Sequence, residues 1–343
     1  MQWTAIGARA NLTFIMRTDA TRGTQKAGQG GASASALAPG GVGNIGPGLD
    51  VLGMAITGPG DRVTATRVQQ RGVTMSSAGH PDLPADATKN AAGIAAIAVL
   101  ERAGATDVGV SIALDKKLPL SGGQGGSAAS AVAGAVAVNR LLGEPLDAHE
   151  IFACALAAES QLSGRHGDNL ASALFGGVII VRTLDPLDVV RLPFPAGLRI
   201  VLAHPDQRLN TADARRVLPS YIERNAALAQ MANVAAMVAA FASGDIALLG
   251  RALDDQIAEP ARAVLLPGFD EAKAAALKAG ALAGSISGAG PTSFYITDSD
   301  ATASAIADAV RGEYRSRSIL CTTRVERVAP RGALELPPDA TSA

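Results

Sequence analysis

Cysteine is close to absent: Cys154 and Cys321 are the only two in 343 residues, and neither belongs to a CxxC pair or a Cys/His cluster. That excludes a disulfide-built fold and a zinc ribbon, and it fits a reducing cytoplasm. Aromatic residues are also scarce, with one Trp, three Tyr and seven Phe, so the core must be assembled from Ala, Val, Leu and Ile. Neither sign of charge is in excess, since 30 basic residues face 31 acidic ones for a formal net charge of −1. No global positive field exists to hold a polyanion, which argues against general nucleic-acid binding. A phosphate loop ending in Gly-Lys-Ser/Thr is missing as well. What is abundant is apolar and small. The 48% hydrophobic and 18% charged content describes a globular chain long enough for two domains.

One long uncharged run, residues 225–244, approaches the length of a bilayer crossing. Alanine dominates it, polar residues interrupt it, and Leu228, Met231, Val234, Met237, Val238 and Phe241 recur at helical spacing. That periodicity predicts an amphipathic helix packed on a core, with no membrane partner. Residues 1–34 carry Arg9, Arg17, Arg22 and Lys26 against Asp19, show little periodicity and end in a Gly/Ser/Ala-rich stretch. They read as a disordered extension or a start codon set too early. Residues 331–343 read as a frayed tail.

Between these ends strand-like and helix-like stretches alternate in a mixed α+β order. Strands are expected at 62–69, 108–114, 178–181, 199–203, 293–296 and 321–328. Helices are expected at 90–102, 128–142, 211–243, 245–258 and 270–280, and a further helix start is marked by the capping box of Asp147 and Glu150. The Pro-rich stretch near 186–195 suggests a domain boundary.

Three glycine-rich segments carry the chemistry. Pro39–Gly53 holds a literal G-x-G-x-x-G at Gly41, Gly43 and Gly46, which raises a dinucleotide-binding reading. Pro47 and Gly48 break the chain at once and no strong strand precedes the motif, so hydride chemistry is disfavoured. Asn44 and Asp50 place polar groups in this tight loop, where an Asx-stabilised turn is the plain alternative. In Pro119–Gly143, glycines at 122, 123, 125 and 126 run into a helix whose first hydroxyl is Ser127. Inward-pointing amides and a helix N-terminus form a phosphate cradle that needs no lysine. The third segment, Gly284–Ile296, sets Ser287-Gly-Ala-Gly-Pro291 between a helix and an apolar strand.

Three such segments in this order resemble the GHMP kinases, over roughly residues 35–330. Ala157–Gly177, Asn210–Pro219 and Ile257–Phe269 are in turn similar to the His-x-Asp-Asn, Thr-x-x-Ala-Arg-x-x-Leu-Pro and Glu-Pro-x-Arg segments of the homoserine kinase family within them. The resemblance implies a two-domain α+β fold. Residues 35–195 would form an N-terminal ATP-binding α/β domain, and residues 196–330 a ferredoxin-like C-terminal domain. It further implies ATP-dependent phosphorylation of L-homoserine with Mg²⁺, in a cytoplasmic protein whose partners are small molecules. A homodimer is left open.

By resemblance, Pro119, Ser121, Gly122, Gly123, Gln124, Gly125, Gly126, Ser127 and Ala128 would hold ATP together with Gly288 and Gly290. Ser127 and Glu159 would ligate the metal. Arg215 and Arg262 would take the substrate carboxylate and Asn44 and Asp50 its ammonium, while His166, Asn169 and Thr211 line the hydroxyl end. Asp168 stands beside Asn169, which occupies the place where mevalonate-type relatives carry an aspartate. The expectation is that no residue is an obligatory base and that the hydroxyl loses its proton late, to phosphate or water. Two departures stand out: Gln124 replaces an apolar residue of the family pattern, and Gly126 replaces its first serine. A mevalonate-type kinase and a non-catalytic nucleotide binder are the alternatives.

Overall fold

The computed structural model describes residues 32–339 and contains two sheets packed with helices. The first domain is built from β1 (Ser33–Gly43), β2 (Leu52–Val68), β3 (Gly72–Ser77), α1 (Ala91–Arg102), β4 (Gly109–Asp115), α2 (Gly126–Leu141), α3 (Ala148–Leu162), α4 (Asp168–Phe175), β5 (Val178–Leu184) and β6 (Leu187–Leu192). Its six strands run in the order β3-β4-β2-β5-β6, with β1 pairing β2, and only the β3–β4 pair is parallel. The long β2 is the hinge of this arrangement. It pairs β1 along most of its length, β4 through residues 62–68 and β5 through residues 52–54.

The four helices bury an alanine-rich core against this sheet. Thirteen of the sixteen residues of α2 are buried, most of them Ala or Val. Small side chains let α1, α2 and α3 approach closely, so close packing takes the place of the missing aromatic bulk. Asp147 and Glu150 form the expected capping box at the start of α3.

The second domain comprises β7 (Arg199–Pro205), α5 (Thr211–Arg216), α6 (Arg224–Ser243), α7 (Ile246–Ala252), α8 (Ala258–Ala263), α9 (Phe269–Lys278), β8 (Ala283–Ile286), β9 (Ser293–Thr297), α10 (Asp300–Ser316) and β10 (Cys321–Glu326). Its antiparallel sheet runs β10-β7-β9-β8. With α9 and α10 as the crossing helices this is the ferredoxin-like order, and α5–α8 are an insertion after the first strand. Period-two alternation sorts its side chains cleanly. Val201, Ala203 and Tyr295 face α9 and α10, whereas Ile200, Leu202, Phe294 and Ile296 join a core with Val42, Met54, Ile56 and Leu192 of the first domain. The two domains therefore share one apolar seam.

Several expectations need correction. A strand does precede the first glycine segment: β1 begins at Ser33, within the stretch read as an extension, and runs through Gly41 to Gly43. Its Ala, Gly and Pro content hides a strand that pairing with β2 imposes. Residues 1–31 lie outside the described part. The stretch 211–243 is two helices, because Pro219 lacks the amide that a continuous helix requires. The helix α10 and the strands β3, β6 and β8 were not anticipated. In α6, Met237 and Phe241 are buried, while Leu228 and Met231 are 52% and 61% exposed, against the expected packed stripe. This helix is long and apolar enough to cross a bilayer by length and composition, and its C-terminal half packs on the shared core.

Residues 331–336, expected to fray, are stitched to the first domain. The amide of Ala333 donates to Ala173 O at 2.9 Å, and the Arg140 guanidinium binds Ser35 O, Ala333 O and Leu336 O.

Candidate active site

A cleft of about 520 Å³ opens between the domains, and the three glycine segments meet along its floor. Each segment is bonded to the other two. Gly41 N donates to Gln124 O (3.1 Å), Ser287 Oγ donates to Gly123 O (2.7 Å), and Gly288 N donates to Gly43 O (3.1 Å). Thr292 Oγ1 closes the ring by donating to Gly122 O. Amides and two short hydroxyl side chains thus hold main-chain carbonyls, and the close approach of the three backbones explains why the segments are rich in glycine. A Cβ on Gly123, whose φ is +72°, would sit 2.5 Å from Ser287 O; a Cβ on Gly43 would sit 2.5 Å from Asn169 Nδ2.

At the phosphate end, Ser121, Gly123 and Gly125 all take positive φ and α2 starts directly afterwards. Gly125 caps that helix without any side-chain bond, so the first amides of α2 remain free to bind an anion. Below the loop lies a pair that the sequence did not disclose. Lys116 Nζ bonds Asp61 Oδ2, Gly126 O (2.7 Å) and Ser130 Oγ (3.2 Å), with both charged side chains almost fully buried. A serine Cβ at position 126 would approach this ammonium to 2.8 Å, so the glycine found there suits the buried lysine.

Past the cradle, Ser127 Oγ donates to Glu159 Oε2 at 2.8 Å. Glu159 is buried, and burial raises its pKa against the opposing pull of His166 and the Ser127 hydroxyl. His166 Nε2 donates to Ser163 O at 3.2 Å, which directs Nδ1 toward Glu159 Oε1, 3.6 Å away. Asp168 at the start of α4 is buried; desolvation, then the charge of Asp50, push its carboxyl up. It accepts the Asn44 amide at 3.1 Å. The neighbouring Asn169 leaves its buried Oδ1 without a partner, beside Gly125 of the cradle.

Asn44 works as a staple. Its Nδ2 donates to Gly288 O (3.0 Å) and its Oδ1 accepts Asp50 N (3.1 Å), in a turn where Asn44, Ile45 and Asp50 all have positive φ. The expected Asx turn and the expected site residue are the same side chain. Asp50 is held bidentately by Arg215, at 2.6 and 3.2 Å. Arg262 is buried behind them, bonded to Ala214 O (3.1 Å) and Gly288 O (2.8 Å). Burial, and then the charge of Arg215, act against its cation. Thr211 opens α5 at the edge of the same cleft.

All the site residues named from the sequence line this cleft except Gln124, which is buried outside its lining. Sequence reading placed Ser287 in the third glycine segment without a role, and missed Lys116, Asp61 and Thr292. The partners of these last three lie 10 to 170 residues away, and no local motif marks their contacts. Among the described residues no group of three or more His, Cys, Asp or Glu is arranged to hold a metal ion by itself. Burial pushes both cysteine thiols up to about 11, which leaves neither poised as a nucleophile.

Comparison with known proteins gives a consistent picture. Residues 90–177 match the GHMP kinases N terminal domain and residues 237–316 the GHMP kinases C terminal domain. A homoserine kinase of Chlorobium phaeovibrioides is 43% identical over 282 residues, covering 79% of this chain and 88% of that protein. One from Arabidopsis thaliana is 41% identical over 276 residues, covering 78% and 75%. The crystal structure of homoserine kinase from Cytophaga hutchinsonii superposes with a TM-score of 0.84 at 41% identity, covering 90% of this chain and 99% of that one. The mevalonate kinase of L. major, at 17% identity and a TM-score of 0.65, shares the fold.

Proposed function

From a chain that belongs to the homoserine kinase family of the GHMP kinases, we infer a cleft that places ATP on the glycine cradle and L-homoserine between Asp50 and Arg215. The protein transfers a phosphoryl group from ATP to the hydroxyl of L-homoserine, giving ADP and O-phospho-L-homoserine, a step of threonine biosynthesis. The observation that carries the substrate assignment is the bidentate Asp50–Arg215 pair in the lining of the cleft. A zwitterion replaces each member of that pair with its own opposite charge, so neither is left unpaired. Mevalonate carries a carboxylate and no ammonium, and would leave Asp50 without a cation.

The residue roles follow from this placement. The cradle amides and the N-terminus of α2 receive the phosphates, where positioning and charge stabilisation are the main requirements of phosphoryl transfer. Arg215 holds the substrate carboxylate, with the buried Arg262 adding positive potential behind it. Asp50 holds the ammonium, aided by the second lone pair of Asn44 Oδ1. Thr211 borders the substrate from α5. Asn169 Oδ1, a buried acceptor with no partner of its own, accepts the hydrogen bond of the attacking hydroxyl and turns its oxygen toward the cradle. An amide is too weak a base to keep that proton, so the proton leaves late, to phosphate or water.

Ser127 Oγ and the Glu159 carboxylate fit Mg²⁺, which accepts few protein oxygens alongside waters and phosphates. Glu159 is a buried carboxylate whose charge is disfavoured there and which a cation would relieve. Bound at this pair, Mg²⁺ supplies charge neutralisation on the phosphate oxygens. His166 fixes the position of Glu159.

The two departures from the family pattern are compatible with catalysis. Gly126 leaves room for the lysine ammonium, and Gln124 lies outside the cleft lining. The test is a coupled ADP-release assay with Mg-ATP against L-homoserine, mevalonate, galactose and L-serine. Turnover on homoserine alone, lost in Ser127→Ala, supports the reading. Absence of turnover on every substrate by the folded protein overturns it.

A further inference from the structure

Gln124 is the one residue of the phosphate loop whose side chain leaves the cleft, and it is 3% exposed. Its Oε1 accepts Arg324 Nη2 at 2.6 Å and its Nε2 donates to Thr292 Oγ1 at 3.2 Å. Arg324 lies on β10, 200 residues further along the chain. The other end of its guanidinium binds Glu326 Oε1 at 3.1 Å, and Glu326 Oε2 accepts Thr57 Oγ1 from β2 at 2.7 Å. Thr292 is fully engaged as well. Its hydroxyl donates to Gly122 O and accepts from Gln124, and its remaining lone pair faces His204 Nδ1 at 3.0 Å. A continuous polar chain therefore joins β2, β10 and the third glycine segment to the middle of the loop.

We propose that Gln124 is a positioning residue for ATP: by binding Arg324 and Thr292 it holds residues 122–126 in their phosphate-receiving shape, making the C-terminal domain part of the nucleotide site. The proposal rests on the reading of this loop as the phosphate cradle. It needs two properties that an apolar side chain lacks, an acceptor for a half-buried guanidinium and a donor for a buried hydroxyl. Removing Gln124 takes one partner from each group, Arg324 Nη2 and one lone pair of Thr292 Oγ1, and unmade bonds of this kind are costly where water does not reach. Its glycines contribute no side chains, so Gln124 is the one side chain that anchors residues 122–126 from outside the cleft. Its carbonyls at Gly122, Gly123 and Gln124 are all held by other segments, and two of those three bonds come from Ser287 and Thr292 of the third glycine segment.

The test uses the full chain with Gln124→Met, Arg324→Met and the double variant. Each single variant is expected to raise the KM for ATP and the Kd for nucleotide about tenfold, with kcat and the KM for homoserine within about threefold. Because both act through one contact, the double variant should be no worse than the weaker-binding single, rather than about a hundredfold down. Amides of residues 122–126, measured without nucleotide, should exchange about tenfold faster in both single variants. Arg324→Lys, a partly exposed change that keeps a donor for Gln124, should lie between wild type and Arg324→Met and secures the test if Gln124→Met does not fold. An unchanged KM for ATP with unchanged exchange overturns the proposal, as does simple multiplication of the two single effects. A wild type without ATP turnover instead contradicts the kinase reading itself.

Discussion

The two ends of the cleft are built by different means. At the proposed phosphate end the groups offered are backbone amides of a glycine loop and the start of α2, braced by bonds that are mostly made to main-chain carbonyls. At the proposed amino-acid end they are charged side chains, Asp50 from one domain and Arg215 and Arg262 from the other, with the two guanidinium groups kept in place by Asp50, Ala214 O and Gly288 O. A site made of backbone depends on the path of the chain, so it tolerates new side chains that keep that path. A site made of charges depends on each one. On this reading Gly126 is a departure that keeps the path of the chain, Gln124 is one whose side chain helps to set it, and the amino-acid end retains a complete charge set.

The contrast can be tested by breaking each end separately. The largest effect is expected from Glu159→Gln, which removes the anion bonded to Ser127 at the phosphate end. The kcat should fall on the order of 10²–10³-fold, with the KM for homoserine little changed, as steady-state kinetics would show. Arg215→Ala comes next. It deletes one charge of the amino-acid end and should raise the KM for homoserine on the order of a hundredfold, leaving the Kd for ATP within a factor of about three. If both ligands weakened equally, the two ends would not be separate.

Asp168→Asn gives a subtler effect, with a sign that can be worked out. Burial and the nearby Asp50 raise the Asp168 carboxyl above the ordinary aspartate range, so the folded chain binds this proton more tightly than the unfolded chain. The stability it contributes is present at low pH and is lost as pH rises through the raised value. The variant should therefore match wild type in acid and gain in Tm over it toward neutrality. Its kcat should fall less than about tenfold if no side chain is an obligatory base. A loss of several orders of magnitude in a folded protein would contradict that. The smallest effect belongs to Gly126→Ser, which crowds the Lys116 ammonium. It should raise the KM for ATP by no more than about threefold, since a lysine tip can shift.

Much of this was legible wherever a signal is local. The capping box of Asp147 and Glu150, the glycine runs and the helix after Gly125 follow from neighbours a few residues apart. The ferredoxin-like domain was expected from resemblance, and the order β10-β7-β9-β8 agrees with it. The strand β1 was hidden because Ala, Gly and Pro give no β signature; its conformation comes from ten paired positions on β2. The helix α10 could have been found, since Ser299 caps it and Ala303, Ile306, Val310 and Tyr314 form a buried stripe. The Lys116–Asp61 pair and the Gln124–Arg324 contact could not, because their partners are 55 and 200 residues apart. Asn44 shows both cases: its Asx turn is local, and its bond to Gly288 is not.

The central claim is that the amino-acid end reads two opposite charges at once, and analogues test it most directly. Rates of ADP release at saturating Mg-ATP should be measured with L-homoserine, with 4-hydroxybutyrate, which lacks the ammonium, and with 3-aminopropan-1-ol, which lacks the carboxylate. The predicted result is turnover of homoserine, with each analogue reduced in kcat/KM on the order of a hundredfold or more. An analogue lacking either charge that matched homoserine in kcat/KM would contradict the account.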